Sequence, residues 1–229
     1  MKVHGAAINQ VVDLALDGDV AVITVNSPPV NALSADVRDG LAGAFAALPA
    51  SGARAAVLVC AGRTFIAGAD ISEFGKPPRG ASLHAVQDAM ESAPVPVVAA
   101  IHGTALGGGL EVALCAHYRV SDAKAKFGLP EVKLGLLPGA GGTQRLPRIV
   151  GARKATEMVT SGAQMGAKEA LAAGLVDEIV DGDLTAGAIA FARRVVAEGR
   201  PLKKVRDDGS KLGGTAAELA PFFAEFRAK

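Results

Sequence analysis

The apolar runs in "RAAVLVCA" (54–61) and "VPVVAAIHG" (95–103) leave this chain few folds to choose from. Each is short for a helix and lacks the polar alternation of a strand with one wet face, so each reads as a strand buried on both faces. A helical pattern at about 82–92 lies between them. Before the first stands "SADVRDGLAGAFAALPA", with Ser34 as N-cap and apolar residues at helical spacing. Buried strands alternating with helices imply an α/β fold, a largely parallel sheet covered by helices. Residues 10–26, "QVVDLALDGDVAVITVN", alternate around Asp17-Gly18-Asp19 and predict a hairpin. Downstream come a short strand at 118–122, helices in "ARKATEMVTSG" and "AKEALAAG", a strand at 176–180 and a long helix at about 184–198. The last residues differ. "GRPLKKVRDDGSKLGG" (199–214) is charged and glycine-containing, and reads as a linker. In the segment after it, Leu219, Phe222, Phe223 and Phe226 fall on one face of a helix, which predicts packing against the core or a neighbouring chain. The chain therefore divides into a core, 1–198, and a linker with a terminal helix, 199–229.

Bulk numbers exclude more than they assign. With 229 residues, 50% of them hydrophobic, the chain can bury one sizeable core. Lys and Arg number 24 against 23 Asp and Glu, so nothing in the balance calls for nucleic acid or an acidic membrane surface. Cys60 and Cys115 sit in apolar runs and read as reduced core residues, which fits a cytoplasmic setting. "MKVHGAAINQVVDLAL" has no long apolar signal core, and no stretch reaches membrane-spanning length.

The segment "IHGTALGGGLEVALCAH" (101–117) breaks two local rules at once. Gly107, Gly108 and Gly109 stand where a helix should start, and each glycine inside a helix costs roughly 1 kcal/mol against alanine. Glu111 is then set among Leu110, Val112, Ala113 and Leu114, where an unpaired carboxylate is expensive. No G-x-G-x-x-G fingerprint is present, since "GAGGTQ" (139–144) ends in the wrong residue; a phosphate loop, a G-x-S-x-G elbow and a His/Cys metal spacing are also missing. His102 and His117 read as packing or turn residues. A glycine-rich helix start presents unpaired N–H groups and a positive dipole end that a ligand can approach closely, the arrangement that stabilises an oxyanion. "RTFIAGADISEF" (63–74), at the carboxyl end of the preceding strand, offers a second donor. Glu131 in "FGLPEVKLGLLP" is a second isolated acid, and two such acids could handle a proton and a water. The alternatives are that the glycines serve close packing and that each acid pairs with a base, Arg119 and Lys133 being the candidates.

Together, "SPPVNALS", "FIAGADI", the block from "IHGTALGGGLEVALCAHYRVSDAKAKFGLPEVKLGLLPGAGGTQRLPRIVG" and "AKEALAAGLVDEIV" resemble the crotonase, or enoyl-CoA hydratase/isomerase, family over residues 10–198. The resemblance implies a spiral of ββα turns with a helical C-terminal region and an acyl-CoA thioester substrate, without metal or separate cofactor, coenzyme A being part of the substrate. It implies enoyl-CoA hydratase activity, with Δ3,Δ2-enoyl-CoA isomerase or a non-catalytic acyl-CoA-binding fragment as alternatives. By motif position the oxyanion hole falls on the N–H groups of Ala69 and Gly108. The same resemblance implies that Glu111 activates the water that adds at C3 and that Glu131 exchanges the proton at C2. Substrate-binding positions fall on Val30, Ala67, Ala69, Asp70, Ile71, Gly107, Gly108, Pro130, Glu131 and Gly139, with Gly109 expected to tolerate substitution better than Gly108. Two departures stand out: Ser72 where many relatives carry lysine, and an end soon after position 198. The second resembles the hydratase portion of a multifunctional β-oxidation enzyme, with a homotrimer or fusion to a 3-hydroxyacyl-CoA dehydrogenase domain as the expected settings.

Overall fold

Gly18 and Asp19 turn the chain between β2 (Val12–Asp17) and β3 (Val20–Val25), as the alternating pattern requires, with Asp17 opposite Val20 and Val12 opposite Val25. The structure, a computed structural model, describes residues 4–228; Met1–Val3 of the N-terminal segment and Lys229 of the tail lie outside the described residues. The first strand, β1 (His4–Ala7), adds antiparallel to β2. From β3 onward every pairing in the main sheet is parallel: β3 with β4 (Ala55–Cys60), β4 with β5 (Val97–Ile101), β5 with β7 (Tyr118–Ser121), and β7 with β10 (Glu178–Ile179). The order of the seven strands is β1-β2-β3-β4-β5-β7-β10.

The unbroken apolar run in β4 has a direct cause. Ala56, Leu58 and Cys60 face the larger core, beneath α1 (Ala35–Ala47) and α2 (Leu83–Glu91). Ala55, Val57 and Val59 face the other side, where Phe191, Ala192 and Val195 of α7 (Leu184–Ala197) cover them. Both faces are dry, so neither tolerates a polar residue. Ser34 caps α1 as the sequence indicates, its side chain accepting the Val37 N–H.

A second sheet, invisible in the hydrophobic pattern, consists of β6 (Thr104–Leu106), β8 (Lys126–Gly128) and β9 (Gln164–Gly166). It begins at Gly103, whose φ of +61° turns the chain out of the main sheet; a Cβ there would stand 2.6 Å from the Arg63 carbonyl oxygen. The short helix α3 (Gly108–Ala113) follows β6 directly. Then come α4 (Gly142–Val150), α5 (Ala152–Ser161) and α6 (Ala167–Ala173). No helix among the described residues is long and apolar enough to cross a membrane.

The charged stretch after α7 lies against the core. Tyr118 donates its hydroxyl to the Pro201 carbonyl at 2.6 Å, Lys203 pairs with Asp177 at 2.8 Å, and Arg206 Nε lies 3.2 Å from the buried Glu91 carboxylate. The terminal helix, α8 (Ala216–Arg227), opens with a capping box of Thr215 and Glu218. It buries Leu219 and sets Phe222 4.4 Å beneath the Arg153 guanidinium of α5, while Leu219 and Phe223 line a hollow shared with α4 and α5.

Asn31 ties the loop before α1 to the end of β4. It adopts φ +53°, accepts the Ser27 N–H, and donates to the Ala61 and Thr64 carbonyls at 2.8 and 2.9 Å. Asn31→Ala leaves both carbonyls without that donor, and we expect urea unfolding to show a loss of about 2–4 kcal/mol; a loss below about 0.5 kcal/mol would show that the tie is dispensable.

Candidate active site

The site is assembled where three segments leave the carboxyl ends of parallel strands. After β4, residues 66–69 run beside the loop preceding α1: Ala67 donates its N–H to the Val30 carbonyl, and Leu33 donates to that of Gly68. After β5 and β6, Gly107 turns into α3 with φ +52° and ψ −127°, a conformation suited to glycine. Its N–H donates to the Gly128 carbonyl at 2.9 Å, anchoring α3 to β8. The third segment is the 3₁₀ turn Pro130–Leu134, which carries Glu131.

Each glycine of the triplet faces a different neighbour. A Cβ on Gly107 would lie 3.2 Å from Glu131 Oε1. On Gly108 it would lie 3.0 Å from Leu33 Cδ1, 3.4 Å from Leu83 Cδ2 and 3.8 Å from the Ala69 nitrogen. On Gly109 it would collide with the Ile66 carbonyl oxygen, with the carbonyl carbon only 2.7 Å away. The expected tolerance of Gly109 is therefore reversed: its neighbour is unyielding backbone, whereas Gly108 faces the ends of two leucines. Close packing against backbone thus accounts for Gly109, while the nearest atoms opposite Gly108 are leucine side-chain ends. As the first residue of α3, Gly108 has no intrahelical partner for its N–H.

A cleft of about 430 Å³ opens over this junction, lined by Ala67, Ala69, Gly107, Gly108, Glu111, Pro130, Glu131 and Gly139. A groove of about 410 Å³, walled by Val30, Asp70 and Ile71, shares Ala67, Ala69 and Ile71 with it. The two acids, Ala69, Gly108 and the substrate-binding positions expected from sequence all line one or other of these adjoining hollows. Ile71, Phe74, Leu134, Leu136 and Leu137 rim the cleft with exposed apolar surface.

The two acids differ in how they are held. Glu111 is 3% exposed, and its Oε1 accepts the N–H groups of Ala140 and Gly142, both at 2.8 Å. Burial pushes its pKa above the usual carboxylate range; the two N–H groups and the charges of His84 and Arg145 pull the other way. Glu131 is raised as well, first by burial and further by Glu111, and its Oε2 is buried with no partner among the described residues. Neither acid has the basic partner proposed as the alternative. Arg119 instead donates to the Leu175 and Ala116 carbonyls, fastening β7 to neighbouring loops, while the Lys133 side chain packs against Gly162. His117 accepts the Val97 N–H and His102 lies 3.1 Å from the Gly62 carbonyl oxygen, both structural contacts.

Sequence reading missed the donors of Ala140 and Gly142 and the side chain of Gln87, which donates to the carbonyls of Ala140 and Glu111. Backbone donors carry no side-chain signature. Gln87 had a signal, a polar residue beside Val86 on the buried face of α2.

With this geometry, a comparison with known proteins decides the family: the profile of Enoyl-CoA hydratase/isomerase matches residues 16–206. This chain belongs to that family. It is 48% identical over 189 residues to the peroxisomal bifunctional enzyme of Danio rerio, covering 82% of this chain and 26% of that protein. A Bacillus subtilis protein named "Probable enoyl-CoA hydratase" is 46% identical over 173 residues, 72% of this chain and 67% of the relative. The chain thus spans about a quarter of the bifunctional relative. Among solved structures, the enoyl-CoA hydratase of Bacillus anthracis superposes with a TM-score of 0.75 at 33% identity, over 82% of this chain and 77% of that one. The enoyl-CoA hydratase/isomerase fold is therefore this chain's fold, with its helical C-terminal region.

Two outcomes test the site as a structure. Gly109→Ala forces α3 away from Ile66, and we expect a loss of at least about 3 kcal/mol or failure to fold, against a smaller loss for Gly108→Ala; equal losses in urea titrations would contradict the packing described. Glu131 has a raised pKa when folded, so its contribution is fully present below the ordinary glutamate value and is lost as pH rises through the folded one. Glu131→Gln should therefore be more stable than the parent at pH 8, with the advantage vanishing below about pH 4.3. A variant less stable at pH 8 would show that the carboxylate is held favourably.

Proposed function

We propose that this chain adds water across the double bond of a trans-2-enoyl-CoA to give the 3-hydroxyacyl-CoA, in fatty-acid β-oxidation. The observation that supports this reading is that two carboxyls with raised pKa line the same cleft as Ala69 and Gly108. The thioester oxygen takes both N–H groups, which lowers the energy of the enolate more than that of the ground state. Water adds at C3 and gives its proton to Glu111, whose Oε1 is held by two N–H groups while Oε2 has no hydrogen-bond partner among the described residues. Electrons pass through the enolate, and Glu131 delivers a proton to C2. Transfer of the proton from Glu111 back to Glu131 through cleft water resets the pair. Burial supports the second role, since it favours the protonated form of Glu131 that gives its proton to C2.

The groove at Val30, Asp70 and Ile71 continues from the cleft and suits the coenzyme A portion, which arrives with the substrate; no separate cofactor enters these steps. A 3-hydroxyacyl-CoA is what a 3-hydroxyacyl-CoA dehydrogenase consumes. Relatives named bifunctional or multifunctional support a setting beside such a domain, with assembly into a trimer as the other arrangement. The free, buried thiols of Cys60 and Cys115 fit the cytoplasm.

Hydration is followed by the absorbance loss of crotonyl-CoA. Glu111→Gln and Glu131→Gln are each expected to lower kcat at least about a hundredfold, with substrate binding changed much less. A parent protein that binds the thioester without turnover would overturn the enzymatic reading. Deuterium entering C2 without net hydration would assign isomerase activity instead.

A further inference from the structure

Gln87 sits on the face of α2 that also buries Val86 and Met90, and its side chain is 1% exposed. An apolar residue would suit that position, because an amide carried into the core forfeits its bonds to water. What the glutamine gains is specific. Its Nε2 donates to the Ala140 carbonyl at 2.8 Å and to the Glu111 carbonyl at 3.2 Å. Those acceptors belong to separate elements, Glu111 to α3 and Ala140 to the loop entering α4. The same two residues are joined a second time, since the Ala140 N–H donates to Glu111 Oε1. The result is a closed ring: amide of Gln87, carbonyl and N–H of Ala140, carboxylate and carbonyl of Glu111.

The other end of the amide, Oε1 of Gln87, is buried without a partner among the described residues. Its two donated bonds are therefore what the side chain contributes, and they span the gap whose width sets the Ala140 and Gly142 N–H groups against Glu111. An apolar side chain of equal size would fill the volume but take the amide donor from the Ala140 carbonyl and leave the Glu111 carbonyl only the Cys115 thiol.

We infer that Gln87 is a positioning residue for Glu111: it fixes residues 139–142 against α3, so that both backbone donors hold Oε1 and Oε2 is turned to the substrate. The inference rests on the role given to Glu111 above. Glu111 is also faced by Glu131 from the Pro130–Leu134 turn, His84 from α2 and Arg145 from α4, while Cys115 donates its thiol to the Glu111 carbonyl. None of these spans the gap between α3 and the 139–142 loop in the way Gln87 does.

The test uses the whole chain with Gln87→Met, which keeps the volume and removes the donors, and Gln87→Glu. Gln87→Met is expected to lower kcat on crotonyl-CoA about ten- to a hundredfold, the scale of a misplacement near 1 Å, with KM changed by less than about threefold. Its acid limb should move to higher pH, because loosening the two N–H bonds removes what favours the Glu111 carboxylate. Amide exchange at Ala140 and Gly142 should quicken at least about tenfold while Leu58 and Ala99 in the main sheet stay unchanged. Gln87→Glu should lose activity as pH rises, since an ionised carboxylate would confront two carbonyl oxygens, and regain part of it at the acid end; this variant carries the test if Gln87→Met does not fold. Parental kcat in Gln87→Met, or a fall in kcat with unchanged exchange at Ala140 and Gly142, would overturn the inference. If the parent itself does not hydrate crotonyl-CoA, the functional reading fails, while the exchange comparison still decides whether Gln87 holds the loop.

Discussion

The site depends on one backbone-to-backbone approach. Helix α3 comes so close to Ile66 that no side chain fits at position 109. That contact sets the start of α3 beside the segment leaving β4, so that Gly108 and Ala69 line the same cleft. Leu106 adds its N–H to the Ile66 carbonyl, and Gly107 is bound to Gly128 on the opposite side. The helix start is therefore held between the segment leaving β4 and the second sheet. Preorganised backbone donors need no rearrangement as charge develops.

The carboxyls are costly in the same environment that makes them useful. Burial disfavours both anions, and the fold offsets this unequally. Glu111 receives two backbone donors on one oxygen and stays fixed. Glu131 is on a 3₁₀ turn at the cleft edge, half-buried, with one oxygen left without a partner. A fixed acid and a less satisfied one suit different tasks, one orienting a water and the other passing a proton. Stability for this arrangement comes from elsewhere: β4 and β5 are covered on both faces, and Asn31 and Thr64 tie the loops around the cleft to the strands that feed it.

Much of this was legible from residues alone because it depends on strong local signals. The hairpin at Gly18, the Ser34 cap and the two-faced strands β4 and β5 follow from period and turn chemistry. The glycine triplet and its isolated glutamate stood out as violations of local preference, and such violations tend to mark functional sites. Strands β6, β8 and β9 escaped because three residues carry no period. Helix α4 was obscured by Pro147 within it and by the glycines before it. The pairing of Glu111 with Arg119 was plausible by proximity in sequence, but β7 carries Arg119 to the α6–β10 loop. The order of tolerance among the glycines was beyond reach, since it depends on which atom of a distant loop lies opposite each one.

The most direct measurement is a crystal structure with a saturated acyl-CoA, which can bind but cannot be hydrated. The account predicts the thioester oxygen about 3 Å from both the Ala69 and Gly108 nitrogens, with C2 and C3 lying between the carboxyls of Glu131 and Glu111 and the nucleotide end leaving past Val30 and Asp70. A thioester bound with its oxygen facing neither nitrogen, or with both acids on one side of the acyl chain away from C2 and C3, would contradict it.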